Sequence, residues 1–245
     1  MSESQNPSPA GPEQIAARLF LDGTWRNARS RVVWDQAIRA LAAADGTVIS
    51  DEDLQQAVDD YRYRERLSTP EDTQRWLDES GLTLDHLVEY CRTLLQEEGL
   101  LAATPRTGID NWFTDHRADY DAVLISAVTV ASEPEGWLAR AAAEAEGESF
   151  HAVAWVRSQT DRTVPPGGAL GWKFRCDLPA DVGDALFAEA DSALVGPIRA
   201  GGSFCLYRVW GRREAALTPA VASRCAMDRL AGRVASWISA SGRSG

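Results

Sequence analysis

The last third of the chain carries backbone punctuation that few folds accommodate. Gly167-Gly168-Ala169-Leu170-Gly171-Trp172 sets three glycines among six residues, ahead of an apolar stretch at 182–189 that reads as a helix. Gly196-Pro197-Ile198 follows, and then Phe204-Cys205-Leu206-Tyr207-Arg208-Val209. Glycine at that density marks turns or close backbone approach, and Gly-Pro restricts the chain on both sides of the bond. The aromatic and aliphatic run 204–210 reads as a closing strand, and the apolar run 122–130 as a buried one. Between them, 137–146 is an Ala-rich helix, 150–158 a second helix, and Pro165 to Gly168 a turn. The order is strand, helix, helix, turn, helix, strand, which makes this half of the chain α+β.

The first half reads as helices joined by short connections. Residues 1–14 are polar and rich in Pro and Ser, with no basic and apolar leader pattern, and read as a disordered tail. Residues 18–25 alternate weakly and suggest a short strand or turn. Ser30 can cap a helix with Val33, Trp34, Ala37, Ile38 and Leu41 on its apolar side, ended by Gly46. Ser50 with Asp53 opens the next, through Leu54, Val58 and Tyr61. Thr69-Pro70-Glu71-Asp72 is a stronger start: a cap, Pro at the first helical position, and acids against the positive helix end. Gly81 suits a left-handed stop. Thr83 caps a helix with Leu84, Leu87, Val88, Cys91, Leu94 and Leu95 inward and Gly99 at its end. Residues 105–111 read as a linker, 112–120 as a short helix, and 219–239 as an amphipathic terminal helix.

These motifs resemble the parvulin-type prolyl isomerases. In that family a Gly-Gly-x-Leu-Gly-Trp turn leads to a helix carrying a Phe, a Gly-Pro-hydrophobic strand and a closing aromatic-His-aliphatic strand. The closing His corresponds to Cys205 here, and the first-strand His falls near Ile125 or Ser126. The three histidines, His86, His116 and His151, lie outside both strands. The phrase from Leu67 to Leu77, then Gly81-Leu82-Thr83-Leu84-Asp85, is similar to the helical chaperone domain fused to parvulins in SurA-type proteins. Bacterial peptide-maturation relatives of parvulins resemble it more closely still. The resemblance covers 30–240. It implies a helical SurA-like domain at 15–105, a parvulin-like domain at 106–215, and a C-terminal helix at 216–245 packing back on the first. It also implies a peptide as partner. The missing imidazoles weaken the implied isomerase activity.

Composition excludes several function classes. The formal charge of −11 opposes binding to nucleic acid or an anionic membrane surface. No apolar run is long enough to span a bilayer. The cysteines Cys91, Cys176, Cys205 and Cys225 are widely spaced, with no zinc pattern, and suit a cytoplasmic protein with reduced thiols. That argues against a periplasmic or surface foldase. No phosphate loop, dinucleotide fingerprint or metalloprotease motif occurs, so neither a cofactor nor a metal is expected.

The remaining chemistry concentrates in the helical part. His86 and Glu89 are neighbours on a helix surface, and Glu89 borders the apolar side set by Val88 and Cys91. Beside Arg64, a partly buried Glu89 could be a base poised near neutrality. The plainer alternative is a solvated helix with routine ion pairs. Cys205 could be a nucleophile, but a Cys amid Phe204, Leu206 and Tyr207 is usually a small buried hydrophobe. Nine tryptophans mostly fit packing, with Trp76 in a helix core and Trp172 in the glycine turn. A few could line an aromatic pocket.

Two functions therefore stand side by side. In size and general character the chain is similar to bacterial β-carboline-forming Pictet–Spenglerases, which implies a cofactor-free enzyme of specialised metabolism. It would condense an aromatic amine with an aldehyde by acid–base catalysis. Glu89, or failing that Glu97, would be the base, with His86 assisting proton transfer. Arg64 or Arg62 would hold the substrate carboxylate. Trp76, Trp172 and Cys205 would line the substrate site. The other reading is a SurA-like chaperone or peptide-maturation protein with weak or no isomerase activity. A homodimer through the helical part is expected in either case.

Overall fold

The structure is a computed structural model that describes residues 11–145, 149–158 and 166–242. Its contacts divide into two units, Met1–Ile109 with Arg224–Gly245, and Asp110–Ser223. No helix among the described residues is long and apolar enough to cross a membrane.

The second unit is built on a four-stranded antiparallel sheet of order β2-β1-β4-β3, from β1 (Ala122–Val130), β2 (Ala169–Phe174), β3 (Leu194–Ala200) and β4 (Ser203–Arg213). The α+β class read from the sequence is the class observed. β1 and β4 lie where the apolar runs place them. β2 was read as turn: its glycines hide a strand whose hydrogen bonds come from β1, from Ala122↔Phe174 to Ser126↔Ala169. Side chains alternate across a strand, so β1 feeds two cores. Val123, Ile125 and Ala127 pack with Cys205, Tyr207 and Val209 under Val182 and Leu186 of α9 (Ala180–Ala188). Val128, Val130 and Leu206 pack under α7 (Glu133–Glu144) and α8 (Phe150–Arg157). Leu186 is fully buried, worth about 1.5–3 kcal/mol.

Two glycines are required by geometry. Gly168 has φ +76, and a Cβ there would meet the Ala127 carbonyl and lie 2.9 Å from the Ala154 methyl. Gly196 has φ +108, with the Cys205 carbonyl oxygen 2.6 Å from where a Cβ would sit. The expected turn from Pro165 is described only from Pro166 onward, and Glu146 of the expected 137–146 helix also lies outside the described residues.

The first unit is helical: α1 (Pro12–Leu21), α2 (Thr24–Asp45), α3 (Asp51–Arg64), α4 (Pro70–Ser80) and α5 (Leu84–Ala102). α6 (Arg106–Asp115) begins in it and α10 (Pro219–Ser241) ends in it. The caps at Ser50, Thr69 and Thr83 each accept the expected backbone N–H, from Asp53, Asp72 and His86. Gly46 and Gly81 take the left-handed stop, at φ 69 and 66.

Five local readings need correction. The segment 18–25 is no strand: α1 runs to Leu21, and Asp22 Oδ1 accepts from Thr24 N at 3.0 Å to start α2. α1 also takes in Pro12 to Gln14 from the expected tail, whose residues 1–10 lie outside the described residues. Ser30 is inside α2, because nothing before it breaks the helix. Gly99 does not stop α5, which runs to Ala102. Its hydrogen side chain admits Thr47, whose Cγ2 would lie 2.9 Å from a Cβ at Gly99. Residues 105–111 are not a linker: Pro105 O accepts from Gly108 N at 2.9 Å and Ile109 N at 3.2 Å, which launches α6.

Candidate functional site

Cys205 lies on the α9 side of the sheet, 8% exposed. The residue opposite it on β1 is Thr129, with Oγ1 3.5 Å from Sγ. Ile125 and Ser126, where the sequence put the first-strand position, pair with Val209 and Arg208 instead. The β4 bulge beside Leu124 and Ile125 shifts the register in a way no sequence pattern displays. Tyr207 stands beside Cys205, and burial first, then the Cys205 thiol, pushes its phenol above the ordinary tyrosine range. Leu170, Leu178, Phe187 and Ile198 complete an apolar surround. It holds a thiol, a hydroxyl and a neutral phenol, but none of the three imidazoles. His86 is in the first turn of α5, His116 follows α6, and His151 is on α8.

The helical unit offers a different kind of site. A cleft of about 530 Å³ opens between α3, α4 and α5. Leu54, Val58, Leu77, Leu84 and Val88 line it, with Arg62, Thr73, Gln55, Gln74 and Asp51 among its polar residues. Arg62 Nε donates to Thr73 Oγ1 at 3.0 Å and Nη1 reaches Asp59 at 3.2 Å, so its guanidinium is already engaged. A second cleft, of about 490 Å³, is more charged: Asp53, Asp60, Arg64 and Glu98 line it with Cys91 and Leu95. Burial pushes the Cys91 thiol up, with the Arg64 charge opposing.

The candidate catalytic and substrate residues are not gathered in one place. Glu89 is half exposed and lies 3.7 Å from both Arg39 and Arg92. Glu97 is more buried and binds Arg31 at 2.8 Å. Both carboxylates therefore face arginines of α2, not Arg62 or Arg64. His86 is spent on capping, its Nδ1 3.1 Å from Thr83 N. Arg62 borders the first cleft and Arg64 the second, where its guanidinium also lies 5.7 Å from the Tyr61 ring. Trp76 packs edge-on to Tyr61 at 5.9 Å. In the sheet unit, Cys205 and Trp172 are on opposite faces: Cys205 under α9, Trp172 across Leu124 on the α7–α8 side. Residues the sequence reading missed include Thr129, legible only from register, and Asp35. Burial raises the Asp35 carboxyl, Arg31 and Arg39 pull it down, and Glu97 pushes it up. Among the described residues no group of three or more His, Cys, Asp or Glu side chains could hold a metal ion.

Sheet order, glycine turn and helical segment together define a parvulin-like α+β unit carried with a helical one. No known family profile matches the chain, and no curated protein matches it in sequence. Among solved structures it is similar to the peptidylprolyl isomerase PrsA from Bacillus anthracis, at 14% identity and TM-score 0.51, covering 83% of this chain and 88% of that one. It is also similar to the foldase protein PrsA from Streptococcus pneumoniae, at 15% identity and TM-score 0.42, over 91% and 83% of the two chains. A PpiC-type peptidyl-prolyl cis-trans isomerase domain matches at 22% identity and TM-score 0.36, over 41% of this chain and 99% of that domain. At such identities the likeness is one of fold.

Proposed function

We propose that this chain holds unfolded or extended peptide segments, as a foldase-like protein with weak or no prolyl isomerase activity. The observation that carries this reading is the cleft between α3, α4 and α5, whose lining of Leu54, Val58, Leu77, Leu84 and Val88 is apolar and open to solvent. Seating one large apolar side chain of a client there is worth about 1.5–3 kcal/mol, without any positioned acid or base. The PrsA-like fold supports it as analogy. The sheet face supports it too. Thr129, Cys205 and Tyr207 are buried there with none of the three imidazoles beside them, which supports weak or no isomerase activity.

The condensing-enzyme reading has less behind it. Glu89 is half exposed and held between two arginines, Arg39 and Arg92, away from either cleft lining. No tryptophan lines either cleft. A reducing compartment is proposed because Cys91 and Cys205 are buried thiols in no disulfide.

The test is a light-scattering assay of a chemically denatured client diluted into buffer with the full chain. Suppressed aggregation is expected, and its loss in Leu84→Glu, an exposed residue of the cleft, at unchanged circular dichroism. No suppression even in large molar excess would sink the reading. A protease-coupled prolyl peptide assay should show little acceleration over the uncatalysed rate. Single-enantiomer tetrahydro-β-carboline from tryptophan and an aldehyde would restore the enzyme reading.

A further inference from the structure

The sheet face under α7 and α8 is only partly covered. Those helices pack over Val128, Val130 and Leu206. Toward the other end, Trp172 and Trp210 stand 43% and 40% exposed. Register explains their placement. Trp172 lies across Leu124, which in turn faces Gly211, and a Cβ at Gly211 would be 3.9 Å from the Trp172 ring. Trp210 is the extra residue of the β4 bulge, between Val209 and Gly211. Its Nε1 donates to Ser126 Oγ at 2.9 Å, and His151 stacks on its ring with centroids 5.4 Å apart and planes 10° apart. Each indole carries a guanidinium. Arg213 is 4.5 Å from the Trp172 centroid and Arg208 is 5.2 Å from that of Trp210.

These two arginines differ in ion pairing from three others of the same unit. Arg117, Arg175 and Arg212 pair with Glu214, Asp184 and Asp191. Arg208 and Arg213 have no such pair among the described residues, and Arg208 Nε is a buried donor without a hydrogen-bond partner. In a chain of net charge −11, an aromatic strip bearing two uncommitted cations is a local reversal. A guanidinium laid on an indole keeps its in-plane N–H groups free for a carboxylate.

We propose that this strip binds an extended peptide segment carrying two carboxylates, one for Arg208 and one for Arg213. The inference rests on the peptide-holding reading and names the kind of segment held. With Trp210 bulged out, Arg208 and Arg213 lie opposite Ser126 and Ala122, four positions and about 13 Å apart, so the acids belong four residues apart, on one face of the extended segment. A proline or aromatic residue between them lies on the two indoles. Single-stranded nucleic acid also combines anions with flat rings, but the overall negative charge opposes it.

The test uses the full chain and fluorescein-labelled Gly-Asp-Ser-Pro-Phe-Asp-Gly, with a second peptide in which both Asp are Asn, read by anisotropy. The Asp peptide should bind about tenfold tighter or better at low salt, a margin that shrinks as salt rises. Arg213→Gln should remove most of that preference, and Arg208→Gln with Arg213→Gln all of it. Arg213 is exposed, so Arg213→Glu, which should reverse the preference, serves if the double variant unfolds. Equal binding of the two peptides, a preference that survives in the arginine variants, or tighter binding of oligothymidylate would overturn the proposal. Leu84→Glu should leave the preference intact. Client holding that persists without any peptide preference would count against the strip alone.

Discussion

Gly168 and Gly167 sit side by side with nearly the same backbone, φ +76 and +78, in very different surroundings. Space around Gly167 is open, while Gly168 is pressed on Ala127 and Ala154. Gly168→Ala should therefore cost about 2–4 kcal/mol, from strain plus crowding, and Gly167→Ala about 1 kcal/mol from strain alone. Urea unfolding of the two variants measures the difference, and equal losses would show that no crowding exists. Asp35 makes a prediction of opposite kind. Its carboxyl is raised above the ordinary value, chiefly by burial. The folded chain then holds that proton longer than the unfolded chain. Stability from this group falls as pH climbs from the ordinary value to the raised one, and the full penalty remains above it. Asp35→Asn should therefore gain on the wild type as pH rises from about 3 to about 7. A difference that stays flat, or runs the other way, would show that the charge is not penalised.

α4 shows how far local chemistry reaches at the scale of an element. Thr69 Oγ1 accepts from Asp72 N at 3.1 Å, and the Asp72 carboxylate accepts from Thr69 N at 3.2 Å and from its hydroxyl at 2.9 Å. Thr69→Ala should cost about 1 kcal/mol. It should also release Asp72, whose carboxyl the Thr69 hydroxyl holds low. A depressed carboxyl stabilises above its ordinary value and loses that stabilisation as pH falls through the depressed one, so the variant should show less of this acid-side loss. An NMR titration of Asp72 that does not move in the variant would count against the cap. The same local logic misread α6 and the end of α5. Gly99 looks like a stop, yet it is small because the Thr47 side chain lies against it, while the 105–111 stretch holds the first turn of α6.

The two ends of the sequence meet in one hydrophobic cluster at the scale of the molecule. Leu230 and Val234 of α10 pack with Ala37, Ile38 and Ala42 of α2 and with Leu100 of α5. Arg233 adds an ion pair to Asp45 at 2.8 Å. Leu230→Ala should cost the helical unit about 2–5 kcal/mol. Removing the chain from Arg224 onward should unfold that unit and not merely trim it. Circular dichroism and a thermal melt of the truncated chain decide this, and an unchanged melt would show α10 to be dispensable.

The helices α3 to α5, the strands β1 and β4, the caps at Ser50, Thr69 and Thr83, and the α+β class were legible in the sequence because each depends on a few consecutive residues. A cap needs a hydroxyl three residues from an amide, and a left-handed stop needs a glycine. Period alone shows which residues share a face. It cannot show what that face meets. Tertiary structure alone turned Glu89 and Glu97 toward α2 and set Thr129, not Ile125 or Ser126, opposite Cys205. It also placed Trp172 and Cys205 on opposite sides of the sheet. A single bulge residue, Trp210, shifts the register of two long strands, and pairing between residues more than 70 positions apart leaves no trace in local pattern.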